Sequence, residues 1–126
     1  MDDAEIVLMS MGTTAATVRK AVDEARAKDL RVGALRVRMF RPFPERELRA
    51  QLAGCKRLGV IDRDISLGLG GVLWSEARSS APSDCLVQNY MLGLGGGDIR
   101  PEHITQLLDD LRARDEATEP EMMEVA

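Results

Sequence analysis

The chain has 126 residues, of which 44% are hydrophobic and 30% charged, with a formal net charge of -4. This is the make-up of one globular domain able to bury roughly two thirds of the surface its unfolded form exposes. No apolar run approaches the ~20 residues that span a bilayer, and the amino terminus carries acids where a secretion signal needs bases, so a cytoplasmic protein with no membrane contact is expected.

Residues 5–9 hold Ile6, Val7, Leu8 and Met9 in succession, a run without alternation that predicts a strand covered on both faces. A small-residue turn at Gly12, Thr13 and Thr14 leads into a helix predicted to reach about Lys28, with Ala15, Val18, Val22 and Ala25 on its apolar stripe. A second strand is expected over residues 32–39, where Leu35, Val37 and Met39 alternate with Arg36 and Arg38, so that one face of its second half lies open. In the FRPFP stretch that follows, Pro42 and Pro44 impose extended backbone and forbid a helix before Glu45. Phe40 and Phe43 there either plug the core or contact another chain. A short helix over residues 45–52 points Leu48 and Leu52 inward and stops at Gly54, and a third strand follows at residues 58–61.

The stretch GVIDRDISLGLGGVLW (residues 59–74) then feeds a strand through Asp62, Arg63 and Asp64 into a turn with Gly68, Gly70 and Gly71, and on into a helix reaching about Ser80. Strand, glycine turn and helix in that order build sites at the carboxyl ends of open α/β sheets. The fourth strand is expected at residues 85–91. A second glycine turn with Gly93, Gly95, Gly96 and Gly97 precedes a helix in which Pro101 occupies the first turn, Asp98 or the backbone nearby caps, and Ile104, Leu107, Leu108 and Leu111 form the stripe. The alternation of strand and helix over residues 1–114 predicts a mostly parallel sheet with helices on both faces. Residues 115–126 add five acids and no base and are expected to be a mobile acidic tail.

Several residues bear on chemistry. The amides of the two glycine turns would bind a phosphate or carboxylate, or the glycines would serve only the tight turn. Neither turn has the lysine or the spacing of a nucleotide fingerprint. Asp62, Arg63 and Asp64 read as a structural or subunit-facing ion cluster ahead of an acid–base pair. Residues 36–63 hold eight bases against three acids, a surplus suited to an acidic partner or a solvated face, and the scarcity of aromatics there argues against nucleic acid. Cys55 and Cys85, with His103 the one histidine, supply too few ligands for a metal or an iron–sulfur cluster and are expected to be reduced and packed. His103 is expected at the surface.

The succession of Met11, Gly12 and Thr13, then LRVRMFRPFPERELRAQL, VIDRDISLGLGG and LGLGGGDIRPEHI, resembles the second domain of the 2-oxoacid:ferredoxin oxidoreductases, whose best known members act on pyruvate. The resemblance runs over residues 4–112. It implies a transketolase carboxy-terminal-like fold, a three-layer α/β/α sandwich. It also implies a non-catalytic assembly role beside partner domains or subunits that carry thiamine diphosphate, Mg, iron–sulfur clusters and coenzyme A and pass electrons to ferredoxin. Phe40, Arg41, Phe43, Asp62, Arg63 and Asp64 become candidate contacts with those partners. An anion- or coenzyme-binding module using the glycine turns is the alternative reading, and a small enzyme using Asp62, Asp64 or Cys85 a third.

Overall fold

The computed structural model describes residues 4–11, 14–37, 45–62, 72–92, 99–114 and 121–123. Strand β1 (Ile6–Met11) buries Val7, Leu8, Met9 and Ser10 in succession, as a run covered on both faces should. Helix α1 (Thr14–Arg26) follows with Ala15, Val18, Ala21, Val22 and Ala25 buried on one stripe. It ends two residues before the expected Lys28 because the chain turns into a left-handed conformation at Asp29, where φ is 65°. The Leu30 amide donates to the Ala25 carbonyl at 3.2 Å and the Asp29 amide to that of Arg26 at 3.0 Å, the paired closure of a Schellman ending.

Strand β2 (Val32–Val37) exposes Arg36 between the buried Leu35 and Val37, which is the open face its alternation predicts. Helix α2 (Glu45–Gln51) buries Leu48, and Leu52 is buried just beyond it. Strand β3 (Arg57–Asp62) is longer at both ends than expected, helix α3 (Val72–Ala77) tightens into a 3-10 turn at Arg78–Ser80, and strand β4 (Leu86–Leu92) starts one residue later than expected. Helix α4 (Pro101–Ala113) carries the predicted stripe, and its proline lies at the start as expected. Asp98 lies outside the described residues; the backbone nearby closes the helix start at Arg100, whose amide donates to Nδ1 of His103 at 2.9 Å. His103 thus closes the first turn of α4 from a partly exposed position at the surface, as expected.

Among the described residues the sheet has five strands, all parallel, in the order β2-β1-β3-β4-β5, where β5 is Glu121–Met123. That last strand falls in the segment expected to be a mobile tail and differs from that expectation. Its backbone pairs with residues 90–92 of β4, which covers an edge of open amides and carbonyls without needing an apolar pattern in the sequence.

Helices α1 and α4 cover one face of the sheet, packing Val18, Val22, Ile104, Leu107 and Leu111 against Leu8, Ile61 and Tyr90. Helices α2 and α3 cover the other, with Leu48, Leu52, Leu73 and Ala77 against Val7, Met9, Leu58 and Val60. The result is the expected three-layer α/β/α sandwich. Gly59 sits at the middle of the first face: a Cβ there would lie 2.9 Å from Cδ2 of Leu8 and 3.0 Å from Cδ2 of Leu111, so the absence of a side chain lets α4 close on the sheet.

Candidate functional site

Because every strand runs in the same direction, the segments that leave β1, β2, β3 and β4 all depart from one edge of the sheet. The order reverses between β1 and β3, so the crevice in which such sheets hold ligands opens there. The parallel register sets Asp62 of β3 opposite Met91 of β4, which brings the starting points of the two glycine turns side by side. The turns themselves, Gly68, Gly70, Gly71, Gly93, Gly95, Gly96 and Gly97, lie outside the described residues, as do Phe40, Arg41, Phe43, Arg63 and Asp64.

Of the Asp62, Arg63 and Asp64 cluster the structure describes Asp62, which is buried. Its Oδ1 accepts the Leu73 amide at 2.9 Å, and its Oδ2 accepts both the Trp74 amide at 3.1 Å and Nδ2 of Asn89 at 2.9 Å. Two free amides in the first turn of α3 are thereby satisfied from the end of β3, and the carboxylate offsets the positive end of that helix. Asn89 also donates to the Val60 carbonyl at 2.9 Å, tying β4 into the same cluster. The arrangement ties the end of β3 to the start of α3 and to β4.

Asn89 escaped the sequence reading. Its signal was there: Gln88 and Asn89 are adjacent amides in the otherwise apolar run LVQNYML, and both are buried. A second polar cluster also escaped it. The Tyr90 hydroxyl donates to Oδ2 of Asp110 at 2.5 Å, and Nε of Arg114 donates to the same oxygen at 2.6 Å. Arg57 donates to the carbonyls of Leu111 and Arg114, closing the carboxyl end of α4 onto β3. Burial pushes the Tyr90 hydroxyl above the ordinary tyrosine value, and the Asp110 carboxylate beside it adds to the rise. Burial pushes the Asp110 carboxyl up, but the hydrogen bonds from Tyr90 and Arg114 outweigh it and hold the group below its ordinary value. Asp110 and Arg114 are an i,i+4 pair on α4, while Tyr90 and Arg57 come to them from distant strands.

On the opposite side of the crevice, Ser10, Ala15, Ala16, Arg19, Ala34, Leu35 and Arg36 line a cleft of about 230 Å³ at the start of α1. Arg36 on its rim is exposed, and Arg19 there pairs with Asp23 at 3.6 Å. Among the described residues no group of three or more His, Cys, Asp or Glu side chains could hold a metal ion, and no helix is long and apolar enough to cross a membrane.

Comparison with known proteins bears on what this architecture belongs to. Residues 4–104 match the family described as pyruvate:ferredoxin oxidoreductase core domain II. The chain is 39% identical over 107 residues to the pyruvate synthase subunit PorA of Methanothermobacter thermautotrophicus, covering 85% of this chain and 28% of the relative. It is 38% identical over 115 residues to the ketoisovalerate oxidoreductase subunit VorA of Pyrococcus furiosus, covering 89% of this chain and 29% of the relative. The chain therefore spans less than a third of the length of the curated relatives it matches. In fold it resembles a 2-oxoglutarate:ferredoxin oxidoreductase from Magnetococcus marinus, solved with 2-oxoglutarate, coenzyme A and succinyl-CoA bound, with a TM-score of 0.68 and 22% identity over 87% of this chain and 18% of that one. With four fifths of its length matched by one family model, the chain belongs to the pyruvate:ferredoxin oxidoreductase core domain II family.

Proposed function

We propose that the chain is a non-catalytic structural and assembly domain, or split subunit, of a thiamine-diphosphate-dependent 2-oxoacid:ferredoxin oxidoreductase. Such a complex oxidatively decarboxylates a 2-oxoacid to acyl-coenzyme A and reduces ferredoxin. The observation that carries this reading is the state of Asp62: its carboxylate is buried and taken up by two helix amides and an asparagine, which suits it to holding a loop and not to moving a proton. The names of the relatives, subunits of pyruvate synthase and of ketoisovalerate oxidoreductase, support the same conclusion. In this reading thiamine diphosphate, Mg, the iron–sulfur clusters and coenzyme A reside on partner domains or subunits in the cytoplasm. Residues 1–114 form the packing unit, with the acidic segment 115–126 appended to it. The loop edge of the sheet, with Phe40, Arg41, Phe43, Arg63 and Asp64, faces the partners.

The test is anaerobic affinity purification of the tagged chain from its own cells, with identification of the co-purifying proteins and an assay of 2-oxoacid-dependent ferredoxin reduction. Thiamine- and iron–sulfur-bearing partners are expected to accompany the chain, with activity in the complex and none in the chain alone. Charge reversal at Arg41 and Arg63 is expected to lower the yield of partners while the chain stays folded by circular dichroism. A solitary chain, or turnover without partners, overturns the proposal.

A further inference from the structure

At the edge of the sheet opposite the loops, two cysteines that are thirty residues apart in sequence meet. Cys55 closes the turn that ends α2, its amide donating to the Leu52 carbonyl at 2.9 Å, and Cys85 closes the turn before β4, its amide donating to the Pro82 carbonyl at 3.0 Å. The next ladder bond, from the Leu86 amide to the Lys56 carbonyl at 3.0 Å, starts the pairing of β3 with β4 and fixes the two turns side by side. Both cysteines pack with the α2 and α3 face. The Cys85 thiol donates to Sγ of Cys55 across 3.7 Å, and the Cys55 thiol in turn donates to the Arg57 carbonyl at 3.0 Å.

We propose that Cys55 and Cys85 form a thiol–disulfide exchange site that closes to an intramolecular disulfide against a low-molecular-weight disulfide of the glutathione class. Bond formation requires the sulfurs to approach by about 1.7 Å from 3.7 Å, a movement within reach of side-chain rotation between neighbouring parallel strands. Cys55 is 5% exposed and Cys85 half-buried, so Cys85 meets the reagent first. Its sulfur attacks one sulfur of the incoming disulfide, a mixed disulfide forms on Cys85, and the released thiolate takes up the Cys85 proton. Sγ of Cys55 then attacks Sγ of Cys85, the second small thiol leaves, and it carries away the Cys55 proton. Two protein thiols are oxidised and one small disulfide is reduced to two thiols. The hydrogen bond to Cys55, with burial next, raises the Cys85 thiol above its ordinary value, so the attack of Cys85 on the small disulfide is the slow step, and closure by the adjacent Cys55 follows from proximity. The closed loop would contain β3, Asp62 and α3, strapping together the segment from which the first glycine turn departs.

The experiment equilibrates the protein as isolated, after reduction, in glutathione buffers of rising oxidised fraction. The samples are then quenched in acid, alkylated with N-ethylmaleimide, digested with trypsin and analysed by mass spectrometry. The expected product is the peptide of residues 50–56 linked to that of residues 79–112, two hydrogens lighter than the sum of the reduced pair. It should form at an oxidised-to-reduced ratio about tenfold or more below that needed by the same chain in urea, because the fold raises the effective concentration of one thiol at the other. Cys55→Ala should trap glutathione on Cys85, and Cys85→Ala should leave the buried Cys55 unmodified over the same exposure. Absence of the linked peptide, equal closure in urea, or glutathione accumulating on both cysteines overturns the proposal. If either variant unfolds, the comparison of folded with urea-unfolded native chain decides alone.

Discussion

The two faces of the sheet are built by different means. On one, α1 and α4 have 13 residues each and bury continuous apolar stripes, so their packing alone accounts for their place. On the other, α2 and α3 have seven and six residues, too short to be stable by themselves, and the described buried side chains of α3 are only Leu73 and Ala77. That second face depends on polar attachments to the sheet: Asp62 for α3, Asn89 for Asp62, and the cysteine turns at the far edge. Trp74 adds a cover, with the Arg78 guanidinium 4.8 Å from its ring centroid. Both faces bury apolar cores, but α3 is anchored by hydrogen bonds where α1 and α4 are anchored by long apolar stripes, so the two faces should fail differently.

Asp62→Ala tests the weaker face and should have the largest effect. It leaves the Leu73 and Trp74 amides and the Asn89 amide group without their acceptor, and is expected to cost about 3 kcal/mol in urea denaturation. Amide exchange should rise first in α3 and leave α1 and α4 protected. Uniform loss of protection across both faces would abolish the distinction. Gly59→Ala tests the face of α1 and α4. The new methyl group must displace the ends of Leu8 and Leu111, which costs about 1–3 kcal/mol in a packed core and is offset in part by about 0.5–1 kcal/mol of backbone entropy. A net loss of about 1 kcal/mol, with exchange rising in α4 and not in α3, is the outcome expected.

The same contrast separates what the sequence made legible from what it did not. Periodicity announced α1, α4 and β1 because each buries a stripe or run long enough to read, and the alternating helices and strands gave the parallel three-layer sandwich. The role of Asp62 was only half legible. Its position at the end of a strand and before a glycine turn marked it, but the amides of Leu73 and Trp74 that define its task belong to backbone, which carries no residue signature. Asn89, the joining of Tyr90 to Asp110 and the meeting of Cys55 with Cys85 depend on the register of β3 with β4 and on how α4 lies across the sheet, and no local spacing encodes those. Residues 121–123 had too little apolar pattern to predict a strand, since an edge strand can be held by backbone pairing.

Polar contacts also occur on the face of α1 and α4, and Tyr90→Phe asks how much they add. The hydroxyl is lost from Asp110 while the ring stays among Leu8, Ile61 and Leu111, so a loss of about 1 kcal/mol is expected, smaller than at Asp62 because the apolar packing survives. The pH dependence has two limits. Asp110 is held below its ordinary value, so its contribution is present above pH of about 4 and disappears as pH falls through its lowered value. Tyr90 is raised, so its contribution is present below pH of about 10 and disappears as pH climbs through the raised value. Melting curves of the native chain should therefore fall off at both ends, and the Tyr90→Phe variant should lose the alkaline fall attributable to this group. An unchanged alkaline limb would mean that the hydroxyl is not linked to folding.

The smallest effect expected is a gain. Asp29 ends α1 with φ at 65°, a conformation that places Cβ against the following carbonyl and that glycine adopts without strain. Its neighbours already make the two backbone bonds of the Schellman ending, and Leu30 packs on the core beyond it, so a glycine changes neither hydrogen bond nor contact. Against the relief of strain stands the greater freedom of glycine in the unfolded chain, which limits the net gain to about 0.5 kcal/mol. Asp29→Gly should therefore raise the denaturation midpoint slightly with an unchanged slope, and it should stabilise the α1 and α4 face without altering exchange in α3. Should α3 gain protection equally, the two faces unfold as one unit, and the division between helices anchored by apolar stripes and a helix anchored by hydrogen bonds would be one of construction and not of stability.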